Sequence, residues 1–165
     1  MGTVFFEDRR ARYLAVTLRG VDYAIPLLAV REVHSLRAVS PLPGTPPAVF
    51  GVLALREGRV PVIDLPAELS PAEAPRGRSC ILVLEVPVGG ETLLLGLVAD
   101  SACEIIEGAP EPREATTLAV SVSEDWLAGS IRSGARSYPL LDVAGCIQGR
   151  SWTITPQGLP RTADA

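Results

Sequence analysis

The chain has 165 residues, 47% of them hydrophobic and only 5% aromatic, which allows one domain or two small ones with cores built from Val, Leu, Ile and Ala. A net charge of −4, with no Lys/Arg cluster interleaved with aromatics, argues against nucleic-acid binding, which needs a basic face against phosphate. No apolar run approaches the ~20 residues of a membrane span, and the opening MGTVFFEDRRAR lacks the cationic start and apolar core of a secretory signal; a cytoplasmic protein without direct membrane insertion is expected.

In chain order, residues 1–11 read as a short N-terminal arm and 13–18 (YLAVTL) as a strand. Arg19-Gly20-Val21-Asp22 carries turn chemistry, and Tyr23-Ala24-Ile25 returns as a second strand that Pro26 ends. Residues 28–34 (LAVREVH) fit a helical turn or a bent strand equally well. The segment 40–50 holds four prolines and a glycine and must run extended over the surface. Strands follow at 51–55 and 59–63 around Arg56-Glu57-Gly58, then a short helix over 65–69 that Asp64 is placed to cap. A Pro- and Ala-rich connector, 70–78, divides the chain into halves of about 12–69 and 79–148.

The second half repeats the order. Residues 80–86 (CILVLEV) form a strand, Gly89-Gly90 a turn, and 92–99 the return; Glu104-Ile105-Ile106 takes the place of Glu32-Val33. A second proline-rich crossing at 109–113 precedes strands at 117–122, 128–132 and 137–141, a short helix from Asp142 to Ile147, and a tail expected to fray over 155–165. The repetition is plainest where GVLALREGRVPVIDL (51–65) meets GSIRSGARSYPLLDV (129–143): Gly51, Pro61 and Asp64 recur as Gly129, Pro139 and Asp142. Short strands, frequent turns and no long amphipathic helix indicate an all-β protein of small barrels. Rows such as ILVLEV and LLLGLVA are apolar on both faces, so they are buried from both sides or pack against the sister unit. A lone barrel of ~70 residues is marginal; a third apolar interface between two of them adds stability, and its seam is a candidate binding groove.

Little in the chain suggests catalysis. Cys80, Cys103 and Cys146 are widely spaced and His34 is the only histidine, so a zinc site is disfavoured and the thiols read as small core hydrophobes. Asp64 and Asp142 sit at equivalent places, which invites comparison with the paired carboxylates of aspartic proteases. Those sites require a glycine two residues after the aspartate, whereas this chain has Asp64-Leu65-Pro66 and Asp142-Val143-Ala144. Structural caps at strand ends are the expected roles for both, and an aspartate-dependent hydrolase is the poorest of the readings. There is no G-x-S-x-G, no Walker loop and no cofactor motif. A binding function is the default. Arg56, at a hairpin tip, is either a solvated turn residue or an interface arginine, and Glu32 either a solvated edge residue or one rim of a groove.

Four stretches together resemble the CheW-like family of chemotaxis coupling proteins: YAIPLLAVREV, GVLALREGRVPVIDL, LGLVADSACEII and WLAGSIRSGARSYPLLDV, in the family's order. The resemblance runs over about 12–150 as one domain. It implies two SH3-like five-stranded β-barrels packed around a shared core, with short helices and with strands able to exchange between the halves. It implies a non-enzymatic scaffold, without cofactor or metal, that joins the helical hairpin tip of a methyl-accepting chemoreceptor to the regulatory domain of a CheA-type histidine kinase in membrane-associated arrays. Val30, Glu32, Val33, Gly51, Arg56 and Gly129 match positions of the receptor groove. Three features depart from the family pattern: Glu57 replaces the glycine after the arginine, Ala99 replaces a valine, and Arg113-Glu114 stands where apolar residues are usual. Alternatives are a coupler in a surface-motility or developmental pathway and a decoy that binds receptors without the kinase.

Overall fold

The computed structural model describes residues 11–41, 43, 44, 48–56, 58–68, 79–88, 90–111, 126–142, 144, 152–154 and 160–162. The chain opens with a hairpin of β1 (Arg12–Leu18) and β2 (Val21–Pro26). Leu18 pairs with Val21, so Arg19 and Gly20 alone make the turn, with φ of 47° and 83°. Two successive positive φ values define the tight turn whose twist matches that of the flanking strands. The ambiguous stretch after Pro26 resolves into both of its options: a single 3-10 turn, Leu27–Ala29, and then β3 (Val30–Ser35) with a bulge between Val30 and Glu32.

A second 3-10 turn, Leu36–Ala38, leads into β4 (Val39–Ser40), and β5 (Val49–Leu55) with β6 (Gly58–Ile63) forms the next hairpin. The expected helix after Asp64 is a 3-10 turn, Leu65–Glu68. The second half supplies β7 (Cys80–Val88), β8 (Glu91–Ala99), β9 (Ser101–Glu107), β10 (Ala109–Glu111), β11 (Leu127–Ser133) and β12 (Arg136–Leu141). Beyond them β13 (Trp152–Ile154) pairs antiparallel with β14 (Pro160–Thr162), so part of the tail expected to fray is a strand. The arm at 1–10, the connector 70–78, the strand expected at 117–122 and most of the second short helix lie outside the described residues.

Two six-stranded sheets result, in the orders β3-β7-β8-β6-β5-β4 and β10-β11-β12-β2-β1-β9. In the first, β3 and β4 are one segment bent at its 3-10 turn; in the second, β9 and β10 are one segment bent at Gly108. Each bent segment begins and ends its sheet, which closes a barrel of five chain segments. Each barrel therefore draws strands from both halves, an exchange that the family resemblance allows for. The hairpin of the first half (β1–β2) joins the barrel of the second, and β7–β8 joins the barrel of the first. The two halves have exchanged equivalent hairpins.

The Gly…Pro…Asp skeleton has a structural reason at each position. Gly51 and Gly129 lie beside matching register breaks in β5 and β11. A Cβ on Gly51 would collide with the Ser40 carbonyl oxygen and come within 2.7 Å of Val39 Cγ1, so only glycine lets β4 cross so closely. Gly129 has φ 122°, which disfavours any side chain. Pro61 and Pro139 stand just before two short parallel contacts, Val62 with Gly96 and Leu140 with Ala24. A proline cannot donate to a ladder, and here the parallel pairing starts one residue later. Asp64 N–H donates to Ala48 O at 2.7 Å, and Asp142 N–H to Trp126 O at 2.8 Å, closing the two units alike.

Among the described residues the apolar side chains form three clusters. One lies inside each barrel: Leu53, Val62, Ile81 and Val83 in the first, Tyr13, Ala24, Ile131 and Tyr138 in the second. The largest lies between them and draws on both, with Tyr23, Ile25, Ile63, Leu82, Leu97 and Trp126 among its members. This explains the strands that are apolar on both faces. Along β7, Ile81 and Val83 point into the barrel while Leu82 and Leu84 point into the junction.

Candidate functional site

The junction between the barrels was the expected groove, and its centre holds the shared core. What remains accessible is its rim. Val33 and Ile105 are 55% and 56% exposed, two of the three large hydrophobics that are exposed among the described residues. They occupy equivalent places on β3 and β9. Val33 pairs with Leu82, and Ile105 with Leu14, both of which pack in or against the junction core. Residues directly opposite on paired strands share a face. Both exposed side chains thus continue the junction's apolar layer outward, one from each barrel. The third exposed hydrophobic, Leu28 at 97%, sits on the 3-10 turn before β3.

The other site residues expected from sequence fall as follows. Val30 is half-buried against the junction core. Glu32 is exposed and its Oε1 lies 2.7 Å from His34 Nε2, two residues along the same strand. Gly51 is buried beneath β4, the continuation of β3, so the Val30–Val33 stretch and Gly51 belong to one wall. Arg56 is exposed in the two-residue turn between Leu55 and Gly58, at the far tip of the β5–β6 hairpin. Gly129 is buried in the other barrel, at the place equivalent to Gly51. Glu57, Arg113 and Glu114 lie outside the described residues. Ile105 and Leu28 are exposed apolar residues that sequence reasoning did not place in the groove. The duplication signalled Ile105, because Glu104-Ile105 repeats Glu32-Val33; Leu28 has no apolar counterpart, since Asp100 stands in the equivalent place.

Asp64 and Asp142 follow equivalent strands of different barrels. The Asp64 carboxylate is buried and accepts from Arg19 Nη2 at 3.3 Å, while Arg19 Nη1 donates to Pro66 O at 3.4 Å. The side chain expected to cap the following turn is engaged by an arginine of the other barrel; the turn's Ala67 N–H bonds the Asp64 main-chain carbonyl instead. Burial pushes the Asp64 pKa above its usual value; the Arg19 charge and hydrogen bond pull the other way, and Asp100 adds to the rise. Asp142 is half-buried at the end of β12, in the second barrel. Among the described residues no group of three or more His, Cys, Asp or Glu side chains is placed to hold a metal ion, and no helix is long and apolar enough to cross a membrane.

Comparison with known proteins agrees with this architecture. The model of the CheW-like domain matches residues 12–151. The chain belongs to the CheW-like domain family. It is 26% identical over 132 residues to the chemotaxis protein CheW of Klebsiella aerogenes, covering 79% of this chain and 78% of that one. The chemotaxis protein CheW of Rhizobium meliloti is 30% identical over 86 residues, 52% of this chain and 53% of its own. Among solved structures, the scaffolding protein TtCheW of Thermoanaerobacter tengcongensis superposes with a TM-score of 0.68 at 20% identity, over 84% of this chain and 88% of that one. That likeness establishes the fold of two SH3-like barrels.

Proposed function

We infer that this protein is a non-enzymatic adaptor of chemotaxis signalling, working in the cytoplasm. One surface accepts the helical hairpin tip of a chemoreceptor and another the regulatory domain of a CheA-type histidine kinase. The observation that carries the receptor half of this reading is the matched pair of exposed apolar residues, Val33 and Ile105, each flanked by an exposed glutamate, Glu32 or Glu104. A helix docks through apolar anchors beside polar residues, and each barrel offers such an anchor next to a glutamate. Arg56, exposed at a hairpin tip, is a further contact of the kind arginine makes at interfaces. Gly51 and Gly129 serve the site indirectly, because bulk at either would displace a strand. Individual contacts of this size are weak, and assembly in an array makes them effective through local concentration.

The test is titration of the full chain with a soluble receptor hairpin fragment and, separately, with the kinase regulatory domain. Both should bind. Val33→Lys should lower receptor affinity about tenfold, ~1.4 kcal/mol, with folding and kinase binding intact, and Arg56→Ala should weaken it in the same direction. Receptor affinity unchanged in both variants would sink the assignment. Capture of receptor without kinase would mark a decoy.

A further inference from the structure

We infer that Arg19 is a positioning residue: acting through Asp64, it fixes how the two barrels sit against each other, and so where Val33 stands relative to Ile105. This rests on the adaptor reading only in its consequence for receptor docking. The clamp itself rests on geometry. Arg19 lies in the β1–β2 turn of one barrel; Asp64 and Pro66 follow β6 of the other. One guanidinium reaches both, donating to Asp64 Oδ2 and to the Pro66 carbonyl. The pair is largely withdrawn from water, at 17% and 9% side-chain exposure. At the same end, Gly20 N–H donates to Asp100 Oδ2 at 3.2 Å and Asp100 N–H to Thr17 O at 2.8 Å, so the turn is held at several points.

Two features indicate that orientation is what the pair supplies. The shared core is aliphatic and aromatic, and apolar contact has no direction; a charge-assisted hydrogen bond has one. Arg19 is also the one non-glycine residue with positive φ among the described residues, a conformation that costs an arginine side chain energy. Burial holds the Asp64 pKa above its usual value even with the arginine beside it, and a buried pair of this kind adds little net stability. In the equivalent hairpin, β7–β8, the sequence has Gly89-Gly90 where β1–β2 has Arg19-Gly20.

Arg19→Ala alone would leave a buried, uncompensated carboxylate, so the decisive protein is Arg19→Ala/Asp64→Asn, which removes clamp and charge together. Residual dipolar couplings measured on the full chain report the relative orientation of the barrels. The wild type should fit one alignment tensor. The double variant should keep the wild-type urea midpoint, require a separate tensor for each barrel, and bind the receptor fragment about tenfold more weakly. A double variant that fits one tensor in the wild-type orientation would overturn the inference. So would one that loses stability along with orientation, since the pair would then be an ordinary stabilising contact. If the wild type itself fails to bind the fragment while the tensors separate, the adaptor reading falls and the clamp stands.

Discussion

Leu82→Ala tests whether the two barrels are one folding unit. Leu82 is fully buried in the junction core and faces Leu97, also fully buried, across the β7–β8 ladder. Truncation removes three carbons, and at ~0.8 kcal/mol for each the transfer loss alone is about 2.4 kcal/mol. The exchanged hairpins hold the surrounding strands, so the site collapses poorly and a cavity term adds to this; the expected cost is about 3–4 kcal/mol. With a urea dependence of ~2 kcal/mol per molar for a chain of this size, the midpoint falls by about 1.5–2 M. The assay is urea unfolding followed by far-UV circular dichroism and by tryptophan fluorescence in a Trp152→Phe background. Trp126 then reports alone, and it lies in the same junction core but in the other barrel. Both probes should move together with an unchanged slope. If Trp126 kept the wild-type midpoint while the dichroism shifted, the barrels would be unfolding separately and the shared-core argument would be wrong.

Asp64→Asn should gain stability relative to the wild type as pH rises. Folding raises the Asp64 pKa above 3.8, so the folded state holds that proton more tightly. Its stabilising contribution is full below the unfolded pKa and disappears as pH rises through the folded one. Urea midpoints of both proteins between pH 3.5 and 7, on the order of the carboxylate range, read this directly; a wild type that gains on the variant with rising pH would mean that the Arg19 attraction wins. Gly51→Ala should cost about 1–3 kcal/mol, because the new methyl strikes the Val39–Ser40 backbone and side chain and must push β4 away. Backbone chemical-shift changes should then appear at residues 39 and 40, and a variant as stable as the wild type with unmoved shifts would show that β4 is not held there.

Much of the strand inventory was legible in the sequence because its signals are local. The Arg19-Gly20 turn, the alternation of β1 and the Gly…Pro…Asp skeleton each act over a few residues, and the structure has strands where they point. The repeated glutamate–apolar pair on β3 and β9 was legible too, as an equivalence, though not as an exposed rim. Which hairpin joins which barrel was not legible, because β1–β2 and β7–β8 carry the same apolar pattern and either exchange satisfies it. The Arg19–Asp64 contact spans 45 residues and two barrels, and nothing local to either residue announces it. The sequence by itself determined the duplicated β units, the family and the absence of a recognisable catalytic motif. Only the tertiary structure decided that the units exchange hairpins, that the seam holds the largest apolar cluster, and that Val33 and Ile105 stay exposed, since those outcomes depend on packing between segments far apart in the chain.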